Sequence, residues 1–182
     1  MDIFCQIEKK LSRQIINQTD NFYLLHDGYP LLEGHLLLIP KKHVDCYFNL
    51  DKKLLREFNL FKKDAINFLK DKYNQPVIFE HGIAGQTIMH AHLHLLPTNK
   101  SIEKDLKQYG VVTKNPSVPY LYLEHFNKKN YFKSKRKISP GLLHTLYAQI
   151  LNRPVIGLKR AKFSKKWLLS VKKNYLIWRK KH

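Results

Sequence analysis

The chain has 182 residues, of which 43% are hydrophobic and 12% are aromatic. This composition is typical of one folded domain of ordinary size and argues against a disordered chain. No apolar run approaches the roughly 20 residues that span a bilayer, no secretory signal is recognisable, and two cysteines do not make a disulfide framework. We therefore expect a cytoplasmic protein that makes no membrane contact.

The formal net charge of +19 lies almost entirely in the second half of the chain. Residues 1–100 carry 13 Lys and Arg against 11 Asp and Glu, whereas residues 101–182 carry 20 against 3. This asymmetry suggests that the second half meets an anion such as nucleic acid or polyphosphate, although a solvated basic surface would have the same composition. The charge step divides the chain into a compact part, 1–100, and a basic extension, 101–182.

The hydrophobic pattern of the first part alternates between strands and one long helix. Apolar residues at steps of three or four predict a helix over 49–74, with Asn49 or Asp51 as its N-cap. Short apolar runs, several of them bounded by Gly or Pro, predict four strands at residues 21–27, 34–42, 76–80 and 90–97.

The extension gives weaker signals. Residues 119–126 and 130–135 are interpreted as a strand and its hairpin partner, and residues 139–151 as a helix. A terminal helix is predicted over 164–182, with Ser164 as its cap. His125 and His144 are expected on the surface rather than in a catalytic role.

Three histidines alternate with apolar residues in the stretch GQTIMHAHLHLLP, residues 85–97. His90, His92 and His94 would share one face of a strand, because successive side chains of a strand point to opposite faces. Such a row fits structural histidines on a half-exposed strand, a zinc site, or one nucleophilic histidine held by its neighbours. The row alone does not separate the last two interpretations.

The residues before the row favour phosphate chemistry. Gly82 and Gly85 would let backbone N–H groups approach an anion, while Gln86 and Thr87 add side-chain donors. Beside three histidines, this loop composition fits a phosphate site better than a bare metal site.

The motif HAHLHLL resembles the pattern of the histidine triad family of nucleotide hydrolases and transferases, in which three histidines alternate with apolar residues. GQT also matches, and the stretches GHLLLIPKKH, HDGYP and DIFCQI are similar to the family's upstream strand, acidic turn and opening. The resemblance covers residues 2–97 with order and spacing kept. It implies an α+β fold, in which an antiparallel sheet of about five strands carries the long helix, with C-terminal helices outside, and it implies a homodimer.

The resemblance also implies a reaction. His92 would attack the α-phosphate of a dinucleoside polyphosphate, such as diadenosine tetraphosphate, or of an adenosine phosphoramidate. Water would then hydrolyse the nucleotidyl-histidine. His94 and Gln86 would donate to the phosphoryl oxygens, while His90 and His35 would orient and polarise the site.

Further contacts follow from the same resemblance. Asp27 would accept hydrogen bonds from the two ribose hydroxyls, since a carboxylate has two acceptor oxygens. Gly85 and Thr87 belong to the substrate loop. Where family members often have an amide residue, this chain has Glu80 and His81, either of which would serve as general acid for the leaving group; alternatively, Glu80 simply ends its strand.

No cofactor is implied and no metal is expected. Family members with a zinc site have two cysteines at the start, whereas here Asp2 stands at the first position and only Cys5 remains. Cys5 and His43, with Asp2, still offer the donors for a metal ion.

A second function is consistent with the basic extension. In the aprataxin-like branch of the family, the enzyme removes adenylate from DNA or RNA ends, and residues 101–182 would then follow a nucleic-acid backbone. The sequence favours the small-molecule reaction, because it contains no zinc-finger spacing and no known nucleic-acid motif.

Overall fold

The computed structural model describes residues 2–113, 118–134, 137–155 and 164–182. Their strands form a single antiparallel sheet in the order β1-β2-β3-β5-β4-β7-β8-β6. The strands are β1 Ile15–Gln18, β2 Phe22–His26, β3 Leu36–Pro40, β4 Val77–Glu80, β5 Leu93–Leu96, β6 Gly110–Thr113, β7 Tyr120–His125 and β8 Lys128–Ser134. The helices are α1 Lys52–Lys72, α2 Glu103–Leu106, α3 Leu142–Ile150 and α4 Lys165–Arg179, and short helical turns lie at Phe4–Gln6, Ile7–Leu11, Ser12–Gln14 and Tyr47–Asn49.

The predicted α+β class is confirmed, but about five strands was too few, since the described residues form eight. The two described strands that the pattern missed, β1 and β6, have only four residues each and no alternation of buried and exposed positions. The predicted hairpin exists as β7 and β8, although its second strand begins earlier than expected and Lys135 lies outside the described residues. It extends the main sheet because β7 pairs with β4.

One face of the sheet is covered by α1 and α4. The apolar side of α1 is buried through Phe58, Phe61 and Phe68, and the Phe68 ring meets those of Tyr175 and Trp178 on α4 at 4.9 and 5.8 Å. Helix α1 is shorter than the predicted 49–74. Its N-cap is Asp51, whose carboxylate accepts a hydrogen bond from the Leu54 N–H at 2.9 Å and satisfies a free donor of the first turn.

The opposite face carries two separate apolar clusters. The N-terminal turns pack Phe4 and Ile7 against Leu25 and Leu37, near one end of the sheet. Helices α2 and α3 pack on the other end, in a cluster that includes Phe79, Leu121, Phe132, Leu143 and Tyr147. His92 and His94 lie in the gap between these two clusters and line a cavity there.

Among the described residues, no helix has the length and apolarity that crossing a bilayer requires.

Candidate active site

The histidine row lies at the middle of the sheet. Strand β5 is flanked by β3 and β4, and His94 pairs with Leu37 on one side and Phe79 on the other. The strand begins at Leu93, later than predicted, so His90 and His92 belong to the extended segment that enters it. All three histidines are buried, and the ring centroids of His92 and His94 are 5.2 Å apart.

The tautomer of His92 follows from one contact. Its Nδ1 lies 2.6 Å from the main-chain oxygen of His90, and a carbonyl can only accept, so Nδ1 carries the proton. The lone pair of the neutral ring is then on Nε2. Burial lowers the pKa of His92, which keeps the ring neutral near pH 7.

A chain of hydrogen bonds orients the third histidine. Leu31 N–H donates to His35 Nδ1 at 3.3 Å, so the neutral His35 ring carries its proton on Nε2. That nitrogen is 3.1 Å from His94 Nδ1, which therefore accepts and leaves the proton of His94 on Nε2. The relay places a donor on the His94 ring, which lines a cavity beside His92.

Asp27 lies against the same pair of rings. Its Oδ2 is 3.4 Å from His35 Nε2 and 3.5 Å from His94 Nδ1, while Oδ1 accepts from the Tyr29 N–H at 2.8 Å. Burial lowers the pKa of His35 to about 4 and that of His94 to about 3. Burial by itself would raise the pKa of Asp27, but the two neighbouring rings hold it below its usual range. The site therefore holds a carboxylate among neutral imidazoles at neutral pH.

These side chains line a cavity of about 620 Å³ in the gap between the two apolar clusters. One part of its wall is apolar and includes Ile3, Phe4, Leu11, Leu25, Leu37 and Ile88. The polar part includes Asp27, His81, Thr87, His92, His94 and His144. A cavity of this size and composition suits a ligand that has a flat apolar portion and an anionic portion.

The loop before the triad is held closely against the C-terminal segment. Gly85 has φ +74°, and a Cβ there would lie 2.5 Å from Ile138 Cγ2 and 2.8 Å from the Ser139 oxygen. Gln86 donates from Nε2 to the Asp45 oxygen at 2.6 Å, and its buried Oε1 has no partner among the described residues. Thr87 lines the cavity. Gln86 does not line it, and its amide instead holds the loop in place through the hydrogen bond to Asp45.

Glu80 lies on the other face of the sheet. Side chains alternate along β4, so Phe79 stacks on the His94 ring at 4.4 Å while Glu80 points away from it. Glu80 accepts from the Tyr47 N–H at 2.9 Å and the Tyr120 hydroxyl at 2.5 Å, beside a separate cavity of about 350 Å³. Burial raises its pKa to about 7. The structure does not bring Glu80 to the histidine cavity.

Two further histidines belong to the cavity wall. His81 accepts from the Leu143 N–H on Nε2 at 3.0 Å, and burial holds its pKa well below the usual value. The expected surface position of His144 is wrong: its side chain is buried, and its ring stacks on His35 with centroids 5.9 Å apart. Helical spacing could have located it, because it precedes the buried Tyr147 by three residues. His125 is half-exposed and donates to the Asn99 oxygen.

Four side chains with possible metal-ligand atoms lie close together, and one of them is His90 of the triad. Cys5 Sγ is 3.0 Å from Asp2 Oδ2, 3.5 Å from His43 Nδ1 and 3.6 Å from His90 Nδ1. Asp2 also lies 3.1 Å from His43 Nδ1 and 3.3 Å from His90 Nδ1. The His90 Nε2 donates to the Pro40 oxygen at 2.9 Å, so its Nδ1 is the ring nitrogen that faces the cluster.

This geometry fits a metal ion, although no metal is expected from the sequence. Tetrahedral zinc, with a sulfur ligand at about 2.3 Å and nitrogen or oxygen ligands at about 2.0 Å, separates its ligand atoms by roughly 3.3–3.6 Å. A zinc-binding histidine commonly donates its second N–H to a backbone carbonyl, as His90 does to Pro40. Asp2 thus stands where a carboxylate completes the donor set.

Residues 8–101 match the HIT domain family. The chain belongs to this family. Its members form a superfamily of nucleotide-binding proteins and hydrolases. The three histidines of HAHLHLL fall within the matched region, together with Asp27 and His35.

Two relatives each match about half of this chain. An uncharacterised HIT-like protein of Mycoplasma genitalium is 33% identical over 100 residues, which cover 52% of this chain and 71% of that protein. One of Mycoplasma pneumoniae is 32% identical over 101 residues, with 52% and 69% covered. The crystal structure of a hypothetical histidine triad nucleotide-binding protein from Sulfolobus tokodaii covers 96% of this chain and 89% of its own, with a TM-score of 0.55 and 21% identity. That likeness shows a shared fold.

Proposed function

We propose that this HIT protein cleaves dinucleoside polyphosphates or adenosine phosphoramidates at the α-phosphate, through a covalent nucleotidyl intermediate on His92. The observation that carries the proposal is the 2.6 Å contact between His92 Nδ1 and the His90 oxygen. It leaves an unprotonated Nε2 on a neutral ring that lines the cavity, which is what a nucleophilic histidine requires.

In the first step, the Nε2 lone pair attacks the α-phosphorus. A P–N bond forms, the bond to the leaving group breaks, and the leaving group takes that electron pair. The His92 ring keeps its proton on Nδ1 and becomes cationic, which strengthens its hydrogen bond to the His90 oxygen. A polyphosphate leaves as an anion, whereas an amine takes up a proton from the solvent, to which the water of the second step returns one.

In the second step, water attacks the same phosphorus. The P–N bond breaks, its electron pair returns to Nε2, and the water gives up a proton as nucleoside monophosphate is released. His94 stabilises the charge on the phosphoryl oxygens in both steps, because the relay from His35 leaves its Nε2–H as a donor. Dividing the reaction in this way lowers each barrier.

The two parts of the cavity wall accommodate the remainder of the nucleotide. The apolar part, which includes Phe4, Leu25 and Leu37, receives the base. Asp27 faces the ribose hydroxyls, and Thr87 contacts a phosphate oxygen. Membership of a nucleotide-binding family supports this orientation.

The test is detection of the intermediate. The protein is mixed with adenosine 5′-phosphoramidate, or separately with diadenosine tetraphosphate, quenched early and analysed by intact mass. We expect an adenylyl adduct on the wild type, no adduct on His92→Ala, and an undiminished adduct on the control His125→Ala, a histidine outside the cavity. An adduct that survives in His92→Ala, or turnover without any adduct, would contradict the proposal.

We also propose that Asp2, Cys5, His43 and His90 hold a zinc ion. Their separations support this, and the exposed side of the cluster offers an entry path at His43. Bound zinc would supply a structural crosslink between the N-terminal segment and the first histidine of the triad. Such a crosslink would fix His90, whose main-chain oxygen accepts from His92.

A further inference from the structure

Helix α3, which belongs to the extension, touches both loops of the cavity. The Gly141 N–H donates to the Gly85 oxygen at 2.9 Å, in the loop before the triad. One turn later, His144 Nε2 lies 3.0 Å from the Tyr29 oxygen, in the turn that carries Asp27. These contacts fix the start of α3 against the cavity and place His144 in its wall.

His144 presents an unused hydrogen-bond acceptor. A carbonyl accepts only, so Nε2 carries the proton that points to the Tyr29 oxygen, and Nδ1 of the neutral ring has a lone pair. Nδ1 is buried and has no hydrogen-bond partner in the part of the chain that the structure describes. A buried polar atom without a partner is costly, so a ligand that donates to it is favoured.

The position of His144 indicates which ligand group would donate. The His144 ring stacks on His35, whose Nε2 is 3.4 Å from Asp27. The main chain of Tyr29 connects Asp27 and His144, because the Tyr29 N–H donates to Asp27 and the Tyr29 oxygen accepts from His144. Two acceptors, a carboxylate and an imidazole nitrogen, are therefore anchored to one turn. Two neighbouring hydroxyl donors on a ligand match this pair.

We infer that His144 is a specificity residue whose Nδ1 accepts a hydrogen bond from one ribose hydroxyl, while Asp27 accepts from the other. The inference rests on the proposed function, in which the Asp27 end of the cavity holds the ribose. It assigns to the extension a role in selecting ribonucleotides over deoxyribonucleotides. A deoxynucleotide lacking the contacted hydroxyl leaves Nδ1 without a partner and binds about tenfold more weakly.

The test measures binding without turnover. Calorimetry gives the dissociation constants of adenosine 5′-monophosphate and its 2′-deoxy and 3′-deoxy analogues for the wild type, His144→Phe and His144→Gln. Phenylalanine keeps a ring against His35 but has no nitrogen, whereas glutamine can donate to Tyr29 and still accept from a hydroxyl. Thermal melting checks that each variant is folded.

For the wild type, we expect both deoxy analogues to bind about tenfold more weakly than the ribonucleotide, because each lacks the hydroxyl that either Asp27 or His144 contacts. In His144→Phe the difference disappears for one analogue, because the ribonucleotide loses the same contact, and it persists for the analogue that lacks the Asp27-contacted hydroxyl. His144→Gln retains part of the lost difference. A residue with a merely structural role would weaken all three ligands equally.

Several results would overturn the inference. Equal binding of all three nucleotides by the wild type does so without any variant. Undiminished discrimination against both deoxy analogues in His144→Phe also does so, as does no binding of the ribonucleotide by the wild type. The adduct on His92 is measured separately. An adduct without discrimination by His144 leaves the proposed reaction standing, and discrimination without an adduct removes the reaction and keeps the binding role.

Discussion

Single hydrogen bonds set the proton positions of the imidazoles in the cavity. The main-chain oxygen of His90 holds the His92 proton on Nδ1, and the Leu31 N–H starts the relay that leaves a proton on Nε2 of His94. In the proposed reaction, one ring would attack and its neighbour would donate, although both are neutral. Burial keeps the His92 and His94 rings neutral, and hydrogen bonds that begin at main-chain atoms decide which nitrogen of each ring carries the proton.

Glu80 gives the clearest pH dependence at this scale. Burial raises its pKa to about 7 in the folded protein, against roughly 4.3 in an unfolded chain. The folded state thus holds the proton more tightly, so the stability contributed by this group is greatest below about pH 4 and falls as the pH rises towards 7. The wild-type protein loses on the order of 2–3 kcal/mol across this window.

Glu80→Gln should remove that loss, because an amide does not titrate and can still pair with Tyr47 and Tyr120. We expect the free energy of unfolding of the variant, relative to wild type, to increase by on the order of 2–3 kcal/mol between pH 4.5 and pH 8. Urea unfolding at several pH values measures it. A difference that is the same at both ends of the range would show that folding leaves the pKa of Glu80 unshifted.

At the scale of elements, the start of α3 depends on one glycine in another loop. Gly85→Ala would place a Cβ 2.5 Å from Ile138 Cγ2, at a φ of +74° that alanine rarely adopts. We expect a loss of about 1–3 kcal/mol of stability, and a lower affinity for adenosine 5′-monophosphate because α3 carries His144. Gly28→Ala is the control for stability alone, since its Cβ would meet no atom closer than 3.6 Å but Gly28 lines the cavity. Equal melting temperatures for both variants would contradict the expectation.

A second prediction at this scale concerns the proposed zinc site at the N-terminal turns. Elemental analysis of the purified protein should find about one zinc ion per chain. Cys5→Ser should lose the zinc ion. Cys46→Ser should keep it, because Cys46 is buried outside the cluster. Asp2→Cys should bind zinc more tightly, since thiolate is a softer ligand than carboxylate. Wild-type protein that remains free of zinc after exposure to one equivalent refutes the site.

Local patterns in the sequence predict some elements better than others. Alternation placed the three histidines together, and helical periodicity predicted α1 with Asp51 among its candidate caps. Strands β1 and β6 escaped because their four residues show no alternation, and their place in the sheet depends on partners far along the chain. The orientation of Glu80 away from the histidines depends on the register of β4 against β5, which no local pattern in the sequence specifies.

For the molecule as a whole, the basic extension remains the feature with two interpretations. Lysines at positions 129, 133, 166 and 173 are exposed on β8 and α4, whereas His144 of the same extension reaches the cavity. A small-molecule reaction needs only His144. The exposed lysines would matter if the substrate were an adenylated nucleic acid.

Salt dependence separates the two substrates. We expect kcat/KM for diadenosine tetraphosphate to fall only slightly between 50 and 200 mM salt, and adenylated oligonucleotides to be poorer substrates than adenosine phosphoramidate. Binding of a nucleic-acid backbone releases several counterions and gives a steep slope on a logarithmic salt scale. A steep slope together with faster turnover of an adenylated oligonucleotide would favour the aprataxin-like alternative.

The pairing of β7 with β4 has a consequence for synthesis on the ribosome. Strand β4 is complete by residue 80, but its outer edge is covered only when Tyr120–His125 has emerged. Until then, a nascent chain with the full triad presents an unpaired edge of apolar residues, which is prone to join the edge of another chain. Stalled chains that end shortly after residue 100 should therefore depend on chaperones far more than the finished protein does.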